Sequence, residues 1–217
     1  MITAVLFDMD GTLFDTERVN HDAWVAVGLP EGLYWHCIGR DRTEILSLMK
    51  DRLHQEPEPL YARYHEEAAR HLKETGIPPR PGLHQMLDAL QKQEYRMAVV
   101  TSSYESRAKD ILNGSGTVPY FQSLVTGDQI THGKPAPDIF LEAARRLDCT
   151  QDQCMVVEDS FNGVRSGHAA GMYTVMVPDL MQPNVEIRVL ADAVLPSLRE
   201  VPPLLTRLNN GQLGTNA

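Results

Sequence analysis

The sequence is poor in cysteine, and its three cysteines form no recognisable arrangement. Cys37, Cys149 and Cys154 contain no Cys-x-x-Cys pair, and three thiols cannot all pair with one another. Sparse thiols of this kind are typical of proteins from a reducing compartment. Nothing near them in the sequence suggests an activating base, so a catalytic cysteine is not expected.

Neither a leader peptide nor a membrane-spanning run is expected from the sequence. The first residues, MITAVLF, lead directly into acidic residues and carry no basic n-region. No stretch approaches the roughly 20 apolar residues that a bilayer requires. We therefore predict a cytoplasmic protein with no membrane partner.

Positive charge is scarce as well. Lys and Arg number 20 against 29 Asp and Glu, which gives a formal net charge of −9. This balance argues against nucleic acid or an anionic membrane surface as the main partner. A small anionic ligand would need local positive charge, supplied by a metal ion, a lysine or the N-terminus of a helix.

The sequence does contain a regular alternation of short apolar runs and longer amphipathic segments. Each run is too short for a helix and apolar on both faces, as in strands that are covered on both sides of a sheet. The alternation predicts an α/β fold with a doubly wound, Rossmann-like parallel sheet. Polar residues follow the runs directly, where open α/β sheets bind ligands. The predicted strands are 2–7, 97–100, 123–126, 155–157 and 173–177, and the predicted helices are 83–93, 104–113, 136–147 and 161–170.

The region 16–79 interrupts this alternation. It contains no convincing strand, only amphipathic segments near 17–28, 42–54 and 58–74, and the Pro-rich stretch 78–81 closes it. A proline-rich stretch of this kind is stiff and ends helices. The region is therefore predicted to be a small helical domain.

This helical domain is predicted to be a cap inserted into a second, catalytic domain. The catalytic core then consists of residues 1–15 and 80–217, and the cap of residues 16–79, with hinges near 14–15 and 78–81. Most aromatic and histidine side chains of the cap are expected in its core or at its surface. These side chains are Trp24, Tyr34, Trp35, His36, Tyr61, Tyr64 and His65.

The last residues of the chain, 209–217, contain no apolar pattern. They are expected to form a frayed tail, because chain termini are ordered only where something holds them.

Two aspartates, Asp8 and Asp10, follow the first predicted strand. Residues two apart in an extended chain point the same way. The pair suits a nucleophile beside an acid/base group, with Asp8 attacking phosphorus and Asp10 exchanging protons. The alternative is an ordinary Asp-rich turn. A calcium loop is excluded, because Gly11 falls at its fourth position rather than its sixth and Val19 at its twelfth.

Glu158 and Asp159 follow another buried run. Adjacent acids at the end of a buried strand are unfavourable to desolvate unless they meet a cation or hydrogen-bond donors. Oxygen ligands of this kind favour Mg²⁺, which also bridges phosphate oxygens. Asp159 is predicted to bind the metal, whereas Glu158 can equally cap the helix that follows. Ser160 offers an N-cap to the same helix.

The remaining polar strand ends carry a lysine and two hydroxyls. Lys134 stands just before a Pro-initiated helix, and its ammonium group can neutralise both Asp8 and an incoming phosphate. Thr101 and Ser102 can offer a hydroxyl and backbone N–H groups to phosphate. A solvated lysine and an ordinary helix cap are the alternatives. Together the strand ends provide a nucleophile, charge-neutralising donors and a metal site, which phosphoryl transfer requires.

Four motifs in chain order, DMDGT, VVTSS, GKPAPDIF and VVEDSFNG, resemble the signature motifs of the haloacid dehalogenase-like hydrolases. The helical insert after the first motif resembles the C1-type cap of the subgroup that contains β-phosphoglucomutase and sugar-phosphate phosphatases. The resemblance implies a Mg²⁺-dependent phosphatase that hydrolyses a small phosphorylated metabolite, a sugar or polyol phosphate, through an aspartyl phosphate on Asp8. We predict that the chain acts as a monomer.

The resemblance also implies roles for individual residues. Asp8 is the implied nucleophile and Asp10 the implied acid/base. The implied phosphate ligands are Thr101, Lys134 and the Ser102 backbone, and the implied Mg²⁺ ligands are Asp8, the Asp10 carbonyl and Asp159, with Glu158 assisting.

In the cap, the segment 39–42 resembles a specificity loop in which an arginine reaches a substrate phosphate. Arg42 matches that arginine best and Arg40 next, and Arg63 matches a cap lysine. A solvated helix start is the alternative for Arg40 and Arg42. Asn20, a further predicted substrate ligand, stands where mutases of this family carry a histidine. It therefore favours a phosphatase over the alternative, a β-phosphoglucomutase-type phosphomutase. A non-catalytic binding protein would have no need of Asp10.

Overall fold

A computed structural model of the chain describes residues 1–38, 40, 42–54 and 56–212. Its strands are β1 (Ala4–Phe7), β2 (Arg96–Thr101), β3 (Ser123–Thr126), β4 (Cys154–Glu158), β5 (Tyr173–Met176) and β6 (Ala193–Val194). Within the described residues they form one parallel sheet of order β3-β2-β1-β4-β5-β6. The sheet grows outward from β1 in both directions. This is the doubly wound arrangement that the sequence predicted.

Helices connect the strands and fill the region between β1 and β2. The helices of that region are α1 (Thr16–Ala26), α2 (Glu31–Cys37), α3 (Arg42–Leu53), α4 (Glu58–Thr75) and α5 (Leu83–Lys92), and those that follow are α6 (Glu105–Gly114), α7 (Asp138–Arg146), α8 (Phe161–Ala169), α9 (Val185–Leu190) and α10 (Val201–Asn209). In the described part of the chain, none of them has the length and apolarity needed to cross a bilayer.

Both faces of the sheet are buried, because successive residues of each strand point to opposite faces. Val5 and Phe7 of β1 belong to an apolar cluster with residues of α5, α6 and α10. Ala4 and Leu6 belong to a second cluster, which includes residues of α7. Strand β1 is therefore apolar at every position, as expected at the centre of a sheet that is covered on both sides.

Helices α1 to α4 share a hydrophobic cluster of their own, built around Trp24, Met49 and Tyr64. Two adjacent segments connect them to the sheet: the backbone N–H of Asp15 donates to the Pro78 carbonyl, and that of Arg80 donates to the Leu13 carbonyl, both at 2.9 Å. We propose that residues 16–79 form a cap domain and that 1–15 with 80–217 form the core. The separate cluster supports this division.

Several features differ from the predictions, which named neither α2, α9 and α10 nor strand β6. Helix α2 was not predicted, because its seven residues are too few to show a period; it is held by the buried Leu33, Tyr34 and Cys37. Asn209 was expected in a frayed tail, but it ends α10, where its side chain accepts a hydrogen bond from the Ile2 N–H at 2.8 Å and donates to the Ile2 carbonyl at 2.9 Å. The rest of the expected tail beyond residue 212 lies outside the described residues.

Candidate active site

The topology of the sheet brings distant parts of the chain to one point. Strand β1 lies between β2 and β4, and Phe7 is in register with Val99 on one side and with Val157 on the other. Asp8 directly follows Phe7, while Thr101 and Glu158 end the two neighbouring strands. All three residues therefore lie at the same edge of the sheet, beside the point where the strand order reverses.

Lys134 joins this group as a buried cation. Its ammonium group donates to Oδ1 of Asp8 and to Oε1 of Glu158, each at 2.6 Å, and to the Val100 carbonyl at 3.2 Å. Burial acts to lower the pKa of Lys134, but the charges of Asp8 and Glu158 outweigh it and raise the pKa above its ordinary value. Lys134 is thus a charged, fixed neighbour of Asp8 and not a solvated lysine.

Three buried carboxylates fit a divalent metal ion. Among the described residues, Asp8, Glu158 and Asp159 offer oxygen atoms that all lie within 4.8 Å of one another. Burial, followed by the charge of Glu158, raises the pKa of both Asp8 and Asp159 well above the ordinary value. A divalent cation would relieve this desolvation and repulsion, and carboxylate oxygens are the ligands that Mg²⁺ prefers.

The DMDGT turn positions Asp159. The Thr12 hydroxyl donates to Oδ1 of Asp159 at 2.9 Å. Gly11 has a φ of 84°, and a Cβ at this position would lie 2.3 Å from Oδ2 of Asp159. Only glycine allows the backbone to turn here and to approach the carboxylate so closely.

Glu158 holds the local structure together. Its Oε2 atom accepts hydrogen bonds from the backbone N–H of Asp159 at 3.0 Å, and from the backbone N–H and hydroxyl of Ser160, both at 2.9 Å. Its other oxygen binds Lys134. Both oxygens are therefore engaged, which favours an indirect role for Glu158 at a metal. Ser160 caps α8 as predicted, since its hydroxyl oxygen accepts a hydrogen bond from the Gly163 N–H at 3.0 Å.

Asp10 is held by three donors. Its Oδ2 accepts from the hydroxyls of Thr101 at 3.1 Å and Ser103 at 2.8 Å, and its Oδ1 accepts from Nη2 of Arg107 at 3.1 Å. Burial acts to raise the pKa of Asp10, but Arg107 and the Ser103 hydroxyl hold it below its ordinary value. Thr101, predicted as a phosphate ligand, thus contacts the predicted acid/base residue.

A cavity of about 470 Å³ lies above these residues, and Ser102 is exposed at its wall. The core contributes the residues of the predicted chemistry, and the cap contributes polar and aromatic side chains. The core residues of the wall include Asp8, Asp10, Thr101, Arg107, Lys134 and Asp159, and the cap residues include Glu17, Asn20, Tyr34, Arg40, Arg42, Tyr61, Tyr64 and His65.

The predicted cap ligands divide into two groups. Asn20, Arg40 and Arg42 line the cavity, and the Arg42 guanidinium lies 5.7 Å from the centre of the Tyr61 ring. Arg63 is exposed and is not part of the wall, so the structure does not bring it to the cavity. The reason is helical register: residues 61, 64 and 65 share the face of α4 that lines the cavity, and residue 63 lies off that face. Residues 39 and 41 of the predicted loop lie outside the described residues.

Several cavity residues were not predicted. Glu17 accepts a hydrogen bond from the Tyr34 hydroxyl at 2.6 Å, and burial raises the pKa of Glu17 to about 7. Tyr34, Tyr61, Tyr64 and His65 were expected only in the core or at the surface of the cap, yet they line the cavity.

A signal for two of the missed residues was present in the sequence. Glu17 and Arg107 stand in the first turns of the helices that follow the DMDGT and VVTSS motifs. Because those motifs lie at the binding edge of the sheet, the first turns after them lie beside the same edge.

Comparison with known proteins agrees with this geometry. The sequence profile of the haloacid dehalogenase-like hydrolases matches residues 5–177. The chain is 33% identical, over 78% of its own length and 82% of the other, to the phosphorylated carbohydrates phosphatase of Thermotoga maritima. It is 34% identical, over 80% of its own length and 95% of the other, to the fructose-1-phosphate phosphatase YqaB of Escherichia coli.

The fold comparison agrees with the topology of the sheet and helices. The crystal structure of β-phosphoglucomutase from Clostridium difficile superposes with a TM-score of 0.80 over 97% of this chain and 99% of that chain, at 22% identity. At this identity the likeness concerns the fold alone. From the profile match and the two relatives together, the chain belongs to the haloacid dehalogenase-like hydrolase family.

Proposed function

We propose that the protein is a Mg²⁺-dependent phosphatase that hydrolyses a small phosphorylated metabolite, a sugar or polyol phosphate, through an aspartyl phosphate on Asp8. The observation that carries the proposal is the buried contact of Lys134 with Asp8, 2.6 Å long, at a site that also contains Asp159. The relatives are named as phosphatases of phosphorylated carbohydrates and of fructose 1-phosphate, which supports the substrate class.

In the proposed reaction Asp8 is the nucleophile. One of its carboxylate oxygens bonds to phosphorus while the bond between phosphorus and the ester oxygen breaks, and Asp10, protonated when the substrate is bound, gives that oxygen its proton. A water molecule then loses a proton to Asp10 and attacks phosphorus, which breaks the bond to Asp8 and releases inorganic phosphate. Lys134, Thr101 and the Ser102 backbone neutralise and orient the transferring group.

The metal ligands in this proposal are Asp8, Asp159 and the Asp10 carbonyl, with Glu158 assisting through its neighbours. When bound, Mg²⁺ supplies positive charge to the phosphoryl oxygens and offsets the repulsion between the carboxylates. Thr12 keeps the Asp159 carboxylate oriented toward Asp8 in this arrangement.

The cap is proposed to select the substrate and to keep out water. Glu17 and Asn20 offer hydrogen-bonding groups for hydroxyls, and Arg42 offers a cation. Closure of the cap over the substrate would exclude water that competes with ordered transfer.

The test is release of inorganic phosphate from p-nitrophenyl phosphate, with and without Mg²⁺. Asp8→Asn should lower Mg²⁺-dependent turnover by a factor of about 10³ or more, because it removes the nucleophile. The exposed Asp110 of α6 provides the control, and Asp110→Asn should leave turnover unchanged. Full turnover in Asp8→Asn would contradict the mechanism.

The two alternatives give different results in the same assays. Isomerisation of β-glucose 1-phosphate that outpaces its hydrolysis would replace the phosphatase with a phosphomutase. Inactivity toward a broad panel of phosphate monoesters, with Mg²⁺ present, would favour a non-catalytic binding protein.

A further inference from the structure

Arg107 occupies the core side of the cavity and has no part in the mechanism above. Its Nη2 donates to Oδ1 of Asp10 at 3.1 Å and lies 3.5 Å from Oδ1 of Asn20. The side chain is 23% exposed and lines the cavity. Within the described part of the chain, Nη1 has no hydrogen-bond partner, and Nε is buried without one. The guanidinium group therefore has donor capacity that the protein does not use.

The cavity contains cations in addition to the one that serves the transferring phosphate. Lys134 is already matched by Asp8 and Glu158, and it serves the reacting phosphoryl group. Arg107 and Arg42 line the cavity as additional cations. Asp10 is the carboxylate that pairs with Arg107, whereas Arg42 has no carboxylate partner in the described part of the chain and lies over the Tyr61 ring.

The charge of this region also acts on His65. Burial, together with the charges of Arg107 and Arg42, lowers the pKa of His65 to about 4. The imidazole is therefore neutral at physiological pH and adds no charge to the cavity. Arg40 also lines the cavity, but it pairs with Glu44 at 3.7 Å. Arg107 and Arg42 are therefore the arginines most open to an anionic group of a substrate.

On the basis of the proposed phosphatase function, we propose that Arg107 binds a second anionic group of the substrate, a carboxylate or a second phosphate, and releases Asp10 as it does so. A guanidinium group binds such oxyanions through two parallel N–H donors, and Asp10 engages Nη2 alone. A competing anion can therefore draw Arg107 away from Oδ1 of Asp10. The Asp10 carboxylate then keeps Thr101 and Ser103 as partners on Oδ2.

This role makes Arg107 a specificity residue that acts through direct contact with the substrate. The alternative is that Arg107 only positions the Asp10 carboxylate and does not contact the substrate. The two roles predict different effects on affinity. A specificity residue changes the affinity for esters that carry a second anionic group more than the affinity for esters that lack it. A positioning residue changes both affinities equally.

The experiment compares matched pairs of phosphate esters that differ by one anionic group. Fructose 1,6-bisphosphate is paired with fructose 1-phosphate, and 2-phosphoglycolate with 2-hydroxyethyl phosphate. Affinities are measured by calorimetry with Mg²⁺ on the full-length Asp8→Asn protein, so that binding is recorded without turnover. We expect the doubly anionic member of at least one pair to bind about tenfold tighter or more. The pair that shows the difference identifies the second group as phosphate or carboxylate.

Variants then assign the difference to Arg107. Adding Arg107→Gln to this protein should reduce the preference to about threefold or less, because the doubly anionic esters lose more affinity than the singly anionic ones. Asp10→Asn removes the competing carboxylate and should tighten binding of the doubly anionic esters more than that of the singly anionic ones. Lys109 provides the matched control, because it is exposed on the same helix, pairs with Glu105 and lies outside the cavity wall. Lys109→Gln should keep the full difference.

Two results would overturn the proposal: equal weakening of both members of each pair by Arg107→Gln, or no preference in the parent protein. Thermal unfolding checks the fold of each variant, and if Arg107→Gln does not fold, Arg107→Lys and Asp10→Asn decide. Failure of the phosphatase function would appear separately, as phosphate release that Asp8→Asn does not reduce. In that case the members of each ester pair would be compared by their inhibition constants against p-nitrophenyl phosphate release.

Discussion

The buried ammonium group of Lys134 lies 2.6 Å from Oε1 of Glu158, and the two side chains are 4% and 0% exposed. Lys134 also donates to Asp8, so one cation is shared between two carboxylates. A buried charge without its partner is strongly destabilising. The site therefore contributes to the stability of the protein as well as to its chemistry. Variants at single positions can separate the two contributions.

Lys134→Met should lower the free energy of unfolding by about 3–5 kcal/mol, because it leaves Asp8 and Glu158 buried without their cation. It should also abolish phosphate release. Urea unfolding measures the first effect and the p-nitrophenyl phosphate assay the second. The exposed Lys109 serves as the control, and Lys109→Met should change stability by less than about 0.5 kcal/mol. An unchanged urea midpoint in Lys134→Met would show that the contact does not stabilise the fold.

Gly163→Ala should destabilise the protein by about 1–3 kcal/mol, because the new methyl group has no room. A Cβ at Gly163 would lie 1.8 Å from the Glu158 carboxyl group, so α8 or Glu158 must move. The matched control is Gly114→Ala in α6, where no atom of the described residues outside the local helix backbone and the two chain neighbours lies within 4 Å of the added Cβ. This change should stabilise the helix by up to about 1 kcal/mol. Thermal unfolding compares the two variants, and shifts of the same sign would contradict the packing argument.

Mg²⁺ should raise the melting temperature of the wild-type protein, because the proposed carboxylate site would bind it in the folded chain and not in the unfolded one. At a concentration of about 100 times its Kd the gain is about 2.7 kcal/mol. Asp159→Asn should remove most of this gain, whereas Asp110→Asn on the surface of α6 should keep it. Differential scanning calorimetry with and without Mg²⁺ is the measurement. A full response in Asp159→Asn would exclude this residue as a ligand.

Glu17 should make stability depend on pH between about 4.5 and 7. Burial raises its pKa from 4.5 to about 7 in the folded protein. The folded state thus binds a proton in this window that the unfolded state has lost, and this contribution to stability declines as pH rises through 7. Glu17→Gln keeps an acceptor for the Tyr34 hydroxyl and carries no charge. Relative to wild type, it should therefore be more stable at pH 8 than at pH 5.5, by about 1–3 kcal/mol.

Chemical denaturation at the two pH values measures this difference. The exposed Glu66 of α4 provides the control, and Glu66→Gln should show no comparable dependence on pH. An equal effect of Glu17→Gln at both pH values would mean that Glu17 is not neutral in the folded protein at low pH.

The convergence of Asp8, Thr101 and Glu158 could be predicted because each follows an apolar strand directly. The carboxyl ends of parallel strands meet at one edge, so strand order along the chain is enough to bring these residues together. Lys134 was harder to place from its surroundings, since a lysine in a loop is ordinarily solvated. Its contact with Asp8 depends on the path of the chain between β3 and α7, which propensity does not specify.

The residues of the cap that line the cavity could not be predicted from the sequence. Arg63 was expected at the substrate, but the face of α4 that carries Tyr61 and His65 lines the cavity instead. The orientation of a helix about its axis follows from packing against its neighbours, and several amphipathic registers are compatible with one sequence. Arg107 was missed for a related reason, because its partner Asp10 lies 97 positions away in the chain.

The sequence by itself determined the alternation of strands and helices, the chemical types at the strand ends and the membership in a hydrolase family. These properties are local or additive, since apolar periodicity and motif residues can be recognised one segment at a time. Only the tertiary structure decided which cap side chains line the cavity and which cation holds Asp10. The cavity wall depends on how the cap helices pack against the sheet, and the Asp10–Arg107 contact joins two core segments that lie 97 positions apart in the chain. Neither kind of contact can be recognised from one segment alone.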